Sequence, residues 1–166
     1  MANEIIKAVQ PTAKQRKRPA QYIKPQALID FENAYNEAMA KKTPHVPAEC
    51  RARYVFRDDT ANKLTQAIIA HLRFNGYFAG RVNTTGVYDF KRGLYRTTSA
   101  RKGMADISAT IAGRSVQFEI KAGKDRPRTD QLAVQREVRR AGGVYEFVHT
   151  FAEYIELYNR IKEGRI

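Results

Sequence analysis

The sequence is short of cysteine, tryptophan and acidic residues. Cys50 is the only cysteine among 166 residues, so no intramolecular disulfide and no cysteine-based zinc site is expected. His45, His71 and His149 have no metal-binding spacing, and no Gly-x-x-x-x-Gly-Lys phosphate loop occurs. There is no apolar run long enough for a membrane span and no secretory signal core. We therefore expect an intracellular, cytoplasmic protein without a membrane partner.

Positive charge is what the chain has in excess. Its 30 Lys and Arg residues outnumber 17 Asp and Glu, which gives a net charge of +13. Such a charge favours a polyanionic partner, and nucleic acid is the leading one because phosphate contacts dominate its binding energy. An anionic membrane surface competes, but the basic residues are spread along the chain and form no uniformly basic amphipathic helix. DNA or RNA is the expected partner.

The length allows one domain with extensions. Residues 1–24 are predicted to form a flexible basic arm, which either follows a phosphate backbone or only solvates the chain. Residues 25–47 are predicted to be a helix and a linker, and residues 48–166 the main domain. In the first helix Leu28, Phe31 and Tyr35 recur at helical spacing. Their stripe needs a partner, which is either the body of the same chain or a second subunit.

Apolar periodicity and turn residues predict a mixed α/β sheet covered by helices. Helices are predicted from Pro25 to Lys42, from Asp59 or Thr60 to Asn75, from a Thr129 cap to Ala141, and from Phe151 to Lys162; strands are predicted at Tyr77–Val82, Val87–Phe90, Leu94–Thr97, in both arms of a hairpin spanning Gly103–Lys121, and at Val144–Val148.

The stretch from Gly103 to Lys121 is the most informative. Apolar and polar residues alternate in both arms around Ala112-Gly113, which predicts two half-buried antiparallel strands. A loop of two residues, or of four, places Asp106 directly opposite Glu119, whereas an odd loop would send them to opposite faces. Only the even register keeps the apolar residues of both arms together, so we expect the two acids to be neighbours.

Two like charges at a cross-strand pair repel each other. A hard divalent cation bound by oxygen ligands would remove that repulsion, and Lys121 lies on the same face two residues after Glu119. The simpler interpretation is a solvated sheet face with an incidental Glu-Lys pair. The opposed Asp106 favours the metal site.

Several short motifs in this order resemble the virus-type replication-repair nuclease branch of the PD-(D/E)xK nuclease superfamily. The similarity covers about residues 60–150. It depends on Gln66, Arg81-Val82-Asn83, Gly103-Met104-Ala105-Asp106, Glu119-Ile120-Lys121-Ala122-Gly123, Gln131 and Ala141-Gly142-Gly143. The resemblance implies a restriction-endonuclease-like mixed sheet with an αβββαβ core, flanked by helices.

The resemblance also implies a metal-dependent DNA endonuclease, structure-selective on branched or flapped DNA. Asp106, Glu119 and the Ile120 carbonyl would bind Mg²⁺ or Mn²⁺. Lys121 would orient the attacking water and stabilise the transition state, and Gln131 would lie near the metal. Small members of the branch are similar to phage proteins and to Holliday-junction resolvases, which are commonly homodimers, so a homodimer acting on host-cell or viral DNA is expected.

Further residues are expected around this site. Gln66, Asn62 and Asn83 would flank it, and phosphate contacts are expected from Arg92, Arg96, Arg101, Lys102, Lys124, Arg126 and Arg128. The chain departs from the family pattern twice: Ala105 stands where proline is common, and Asn62 stands where the first helix usually has glutamate. Because an amide is a weaker ligand than a carboxylate for a hard cation, the number of metal ions stays open; Asp58 or Asp59 is a possible substitute.

Two other functions remain open. A non-catalytic nucleic-acid-binding protein that keeps the nuclease fold is favoured by Asn62 and opposed by the intact Asp106, Glu119 and Lys121. A restriction-type nuclease would need a base-recognition element, for which 166 residues leave little chain.

Overall fold

The computed structural model describes residues 21–82, 87–96, 101–121, 123 and 125–166. Residues 1–20 of the predicted arm, together with Asn83 and Lys124, lie outside this part. The described helices are α1 (Gln26–Lys42), α2 (Ala61–Phe74), α3 (Thr129–Arg140) and α4 (Phe151–Lys162), and the strands are β1 (Phe78–Arg81), β2 (Val87–Asp89), β3 (Leu94–Arg96), β4 (Ile107–Ile111), β5 (Arg114–Ile120) and β6 (Val144–Val148).

Four of the strands form one mixed sheet in the order β1-β4-β5-β6. The first three are antiparallel to their neighbours, and β6 runs parallel to β5 after the crossover through α3. Strands β2 and β3 make a separate hairpin. The predicted mixed α/β fold is confirmed at this level. Among the described helices, none is long and apolar enough to cross a membrane.

The helix ends follow local chemistry. The Thr60 hydroxyl accepts the Lys63 amide at the start of α2, and Gly76 follows its end with a φ of +80° that favours glycine. The prediction that Thr129 caps α3 is wrong, because Arg128 occupies the N-cap position. The Gln131 side chain accepts the Arg128 amide at 2.9 Å, so a residue of the first turn satisfies this donor.

The main core lies on one face of the sheet, under α1, α2 and α4. Leu28 and Phe31 of α1 are buried in it, and the Phe31 ring stacks on Phe151 with centroids 5.7 Å apart. The body of the same chain therefore covers the apolar stripe of α1. The stripe of α1 therefore gives no support to the expected homodimer, which stays a prediction from the resemblance.

The β4–β5 hairpin has the predicted even register. Ile111 pairs with Arg114 across Ala112 and Gly113, whose φ angles of 48° and 78° match the mirror-image turn favoured in two-residue hairpins. Ile107 pairs with Phe118, so the preceding Asp106 reaches the level of Glu119. Ala105, expected on the face of Ile107, instead joins a small cluster under α3, because the chain bends at Asp106 before β4 begins.

Candidate active site

A cleft of about 540 Å³ opens beside the end of β5 and the start of α3. The hairpin register brings Asp106 and Glu119 to it, and the parallel crossover brings the first turn of α3 over the same strand end. Its lining includes Asp106, Glu119, Ile120, Lys121 and Gln131, the residues predicted to carry out catalysis and to bind metal.

Glu119 and Lys121 project from the α3 face of β5, and both side chains are buried. Lys121 is 1% exposed and Glu119 6% exposed, so the predicted alternative of a solvated sheet face does not describe them. Lys121 Nζ lies 3.3 Å from Glu119 Oε1, and it also lies 5.9 Å from the centre of the Phe147 ring. A buried ammonium of this kind requires charged or strongly polar partners.

Gln131 connects the carboxylate to the ammonium. Its Nε2 donates to Glu119 Oε1 at 2.5 Å, and its Oε1 accepts from Lys121 Nζ at 2.8 Å. Gln131 Oε1 also accepts a hydrogen bond from the backbone amide of Arg128. This bond at the first turn of α3 fixes the orientation of the Gln131 side-chain amide. Gln131 thereby holds Glu119 and Lys121 in a defined geometry.

Asp106 completes the carboxylate pair from the other strand. Its Oδ2 accepts the Ile120 amide at 3.0 Å, and its own carbonyl accepts the Val82 amide at 2.8 Å. The side chain is half-buried at the cleft and tied to both neighbouring strands. These bonds fix the position of Asp106 although it lies outside the β4 ladder.

The electrostatics of the cleft oppose an ionised Glu119. Burial raises the pKa of Glu119, and the nearby charge of Asp106 raises that pKa further, whereas Lys121 lowers it. Asp125 Oδ2 lies 3.3 Å from Lys121 Nζ on the exposed side of the cleft. Lys121 therefore lies between carboxylates on both sides, and its positive charge only partly offsets the effects that raise the pKa of Glu119.

The donor set fits one hard divalent cation. Asp106 and Glu119 each use one carboxylate oxygen in the hydrogen bonds above, and within residues 21–166 as described no hydrogen bond engages the other oxygen. Mg²⁺ is commonly bound by one or two carboxylates with water and backbone oxygens. No group of three or more His, Cys, Asp and Glu side chains suited to a metal occurs among the described residues. Asp106 and Glu119, with the Ile120 carbonyl as predicted, are the ligands to test.

Two further residues support the site in ways that the sequence analysis did not predict, Tyr145 and the motif residue Gly103. The Tyr145 hydroxyl donates to the Gly103 carbonyl at 3.0 Å, and burial raises the Tyr145 pKa, with further contributions from Glu119 and Asp106. Gly103 has a φ of +85°, and a Cβ there would lie 2.6 Å from the Asp130 carbonyl carbon. The close approach of Gly103 to Asp130 places the start of α3 against the hairpin, and the Tyr145 hydrogen bond fixes the same glycine to β6. Tyr145 could have been identified only from the β5–β6 register, and the sequence does not specify that register.

Of the three residues expected to flank the cleft, two lie elsewhere in the structure and one is not among the described residues. Asn62 Oδ1 accepts from Arg81 Nη2 at 2.8 Å. Gln66 lines a separate and larger depression of about 850 Å³ between α1 and α2. Asn83 lies outside the described residues. The structure thus does not bring Gln66 together with Asp106.

The predicted phosphate-binding residues divide in the same way. Lys102 and Arg128 line the cleft, while Arg126 and Arg92 are exposed. Arg101 forms a bidentate ion pair with Glu137 at 2.6 and 2.8 Å. Lys124 and the side chain of Arg96 lie outside the described part. No family model and no curated protein matches this chain, so the chemistry of the cleft has to be argued from its own residues.

Proposed function

We propose that this protein is a metal-dependent DNA endonuclease of the virus-type replication-repair nuclease branch. The supporting observation is the buried Lys121 ammonium held beside Glu119 and Asp106 in one cleft of a chain with a net charge of +13. The order α2-β1-β4-β5-α3-β6 supports the αβββαβ core of restriction-endonuclease-like folds. DNA is the proposed partner.

In the proposed reaction Asp106 and Glu119 hold Mg²⁺ or Mn²⁺. The ion, when bound, polarises the phosphoryl oxygen and lowers the pKa of its water. Lys121 places its ammonium where negative charge grows on the phosphate and orients the attacking water. Gln131 positions Lys121 and Glu119 through its two hydrogen bonds. The expected products carry a 5′-phosphate and a 3′-hydroxyl.

One ion is the simpler version of this proposal. Asn62 replaces the expected glutamate, and its Oδ1 is bonded to Arg81. Asp59 forms ion pairs with Arg57 and Lys63, and Asp58 Oδ1 and Oδ2 accept from the Tyr22 hydroxyl and the Phe151 amide. Neither aspartate lines the cleft, so Asp106 and Glu119 are the two carboxylates to which we assign the metal, together with the Ile120 carbonyl.

The test compares wild type, Lys121→Met and Lys162→Met on linear, flapped and branched DNA, with Mg²⁺, Mn²⁺ or EDTA. Lys162 is exposed on α4 and is the matched control. Losing a charge aimed at the transition state is expected to slow cleavage about 10²–10³-fold, whereas Lys162→Met should cleave like wild type. Cleavage that survives EDTA, or is unchanged by Lys121→Met, would contradict the proposal.

The second candidate is a non-catalytic nucleic-acid-binding protein. It is favoured by the network of Glu119, Lys121 and Gln131, in which the three buried side chains bond to one another. Buried polar networks also serve to specify a fold. Binding of all three DNA forms without cleavage in Mg²⁺ or Mn²⁺ would favour this candidate.

A further inference from the structure

The larger depression, which we name the α1–α2 groove, has no part in the proposed chemistry. It lies between α1 and α2 on the face of the sheet opposite α3, and its volume is about 850 Å³. Residues from α1, α2 and β1 form its walls, including Met39, Lys42, Gln66 and Arg81.

The groove is charged with one sign only. Lys42, Arg73 and Arg81 line it, and no Asp or Glu does. Two of the guanidinium groups are held in place, because Arg73 Nε donates to the Ala79 carbonyl at 3.0 Å and Arg81 Nη2 donates to Asn62 Oδ1. Fixed cations without a neighbouring carboxylate form an anion-binding wall.

The remaining wall is apolar and aromatic. Tyr35 and Phe74 line the groove with ring centroids 5.6 Å apart, and Phe74 is 39% exposed although most aromatic residues of this face are buried. Met39 and Ile69 extend this wall. Aromatic rings next to cations are the combination that binds the bases and phosphates of a single strand.

The groove reaches the proposed active site through β1. Arg81, in the groove wall, pairs with Ile107, the residue after Asp106, and the next amide, Val82, donates to the Asp106 carbonyl. Strand β1 is an edge strand of the sheet. Among the described residues, β1 is therefore the strand that connects the groove wall at Arg81 with Asp106 of the cleft.

We infer that the α1–α2 groove binds a single-stranded segment of the nucleic acid whose phosphodiester bond is presented to the cleft. This rests on the proposed function and specifies which part of the substrate the protein holds. Phosphates bind Lys42, Arg73 and Arg81, and bases pack against Phe74 and Tyr35.

Two other possible occupants, the basic arm and a second copy of the chain, have the wrong charge. Residues 1–20 include Lys7, Lys14, Arg16, Lys17 and Arg18 against the single acid Glu4, so the basic arm would be repelled by the cations of the groove. A second copy of a chain with net charge +13 meets the same repulsion. An acidic amphipathic peptide has the right charge, and the experiment below distinguishes it.

The experiment measures the affinity for a fluorescein-labelled oligothymidylate of about 12 nucleotides by anisotropy in EDTA, so that cleavage plays no part. Ala38→Glu places a carboxylate in the groove, and Ala40→Glu makes the same change on α1 in a different depression. We expect Ala38→Glu to weaken binding about fivefold or more and Ala40→Glu less than about twofold.

A second pair removes a cation instead. Lys42→Gln acts inside the groove, whereas Lys41→Gln changes the adjacent lysine, which is 75% exposed and paired with Glu37. We expect weaker binding, by about threefold, and a smaller salt dependence only for Lys42→Gln. Ultraviolet cross-links of the oligonucleotide should map to the peptides that contain Tyr35 and Phe74.

Equal affinities within both pairs would overturn the inference. The inference would also be overturned if Ala38→Glu weakened the binding of an acidic amphipathic peptide and left the binding of the oligonucleotide unchanged. Failure of the proposed function has a different readout, which is intact DNA after incubation of wild type with Mg²⁺ or Mn²⁺. In that case the difference in oligonucleotide affinity between Ala38→Glu and Ala40→Glu would still be seen in EDTA.

Discussion

The two faces of the central sheet are covered very differently. Three helices, α1, α2 and α4, cover one face and bury a large apolar and aromatic cluster. Of the described helices only α3 covers the other face, over a small buried cluster of Ala105, Val134 and Tyr145. The polar residues Glu119, Lys121 and Gln131 are buried beside that small cluster. Where the apolar core is thin, hydrogen bonds and ion pairs hold the helix to the sheet.

Each face also carries an ionisable group that is largely shielded from solvent, and the surroundings of the two groups are opposite. His71 on the first face is surrounded by aromatic rings, including Phe31 and Tyr158, and its Nδ1 is hydrogen-bonded to the Tyr154 hydroxyl at 2.8 Å. Desolvation lowers the pKa of His71 and so favours the neutral ring. On the second face Lys121 is buried beside carboxylates. The first face thus favours an uncharged ring at His71, whereas the second face places the Lys121 ammonium among carboxylates.

The largest expected effect tests the face that excludes charge. Burial lowers the His71 pKa from 6.5 to about 4, so the unfolded chain binds a proton that the folded chain rejects as the pH falls. The contribution of His71 to stability is complete above pH 6.5 and is lost below it, by about 3 kcal/mol at pH 4. Urea unfolding of wild type and His71→Gln between pH 7 and pH 4 measures it.

His71→Gln should unfold at a lower urea concentration than wild type at pH 7, and the gap should shrink or reverse towards pH 4. The matched comparison is His149→Gln, an exposed histidine beside Glu153. A constant gap between wild type and His71→Gln over this pH range would show that the ring is not buried in its neutral form.

The next effect tests how the second face positions α3. Gly103→Ala adds a Cβ 2.6 Å from the Asp130 carbonyl carbon at a φ of +85°, so it must push the first turn of α3 away from the hairpin. Gly142→Ala has a similar φ of +83° with nothing within 4 Å, and it therefore measures backbone strain alone. We expect a loss of about 1 kcal/mol for Gly142→Ala and about 2 kcal/mol more for Gly103→Ala, measured by urea unfolding.

Gly103→Ala should also slow cleavage far more than Gly142→Ala does, because Gln131 is in the displaced turn and holds Lys121 and Glu119. If both variants are destabilised equally and cleave equally, the contact between Gly103 and α3 does not position the site.

The sequence predicted local structure well on both faces. Strand Val144–Val148 and helix Phe151–Lys162 have the predicted bounds, and the Ala112-Gly113 turn set the register that brings Asp106 to Glu119. Alternation and turn chemistry are local, so they can be read along the chain. The site residues that the hairpin contributes could therefore be predicted from the sequence.

What could not be predicted depends on contacts between distant segments. The burial of Lys121 follows from α3 lying over the end of β5, and the hydrogen bond from Tyr145 to Gly103 follows from the β5–β6 register. Gln66 and Asn62 were expected near the cleft because of their positions in the motif order, but the orientation of α2 places Gln66 in the groove. Helix orientation is a tertiary property that spacing does not specify.

The smallest expected effect tests whether charge on the second face is arranged for an ion. Asp106→Asn keeps an oxygen for the Ile120 amide and removes the charge that raises the pKa of Glu119. Because a raised pKa means that ionised Glu119 opposes folding at neutral pH, the variant should be more stable by roughly 0.5–1 kcal/mol without metal.

Millimolar Mg²⁺ should reverse this order. Wild type should gain stability with the ion, because a ligand that binds only the folded state shifts unfolding, and Asp106→Asn should gain little. Asp130→Asn, an exposed carboxylate in the same cleft, is the control and should respond to Mg²⁺ as wild type does. Equal stabilisation of wild type and Asp106→Asn would mean that the repulsion between Asp106 and Glu119 is not relieved by a cation. The charged residues of the second face would then stabilise the fold and would not form a cation site.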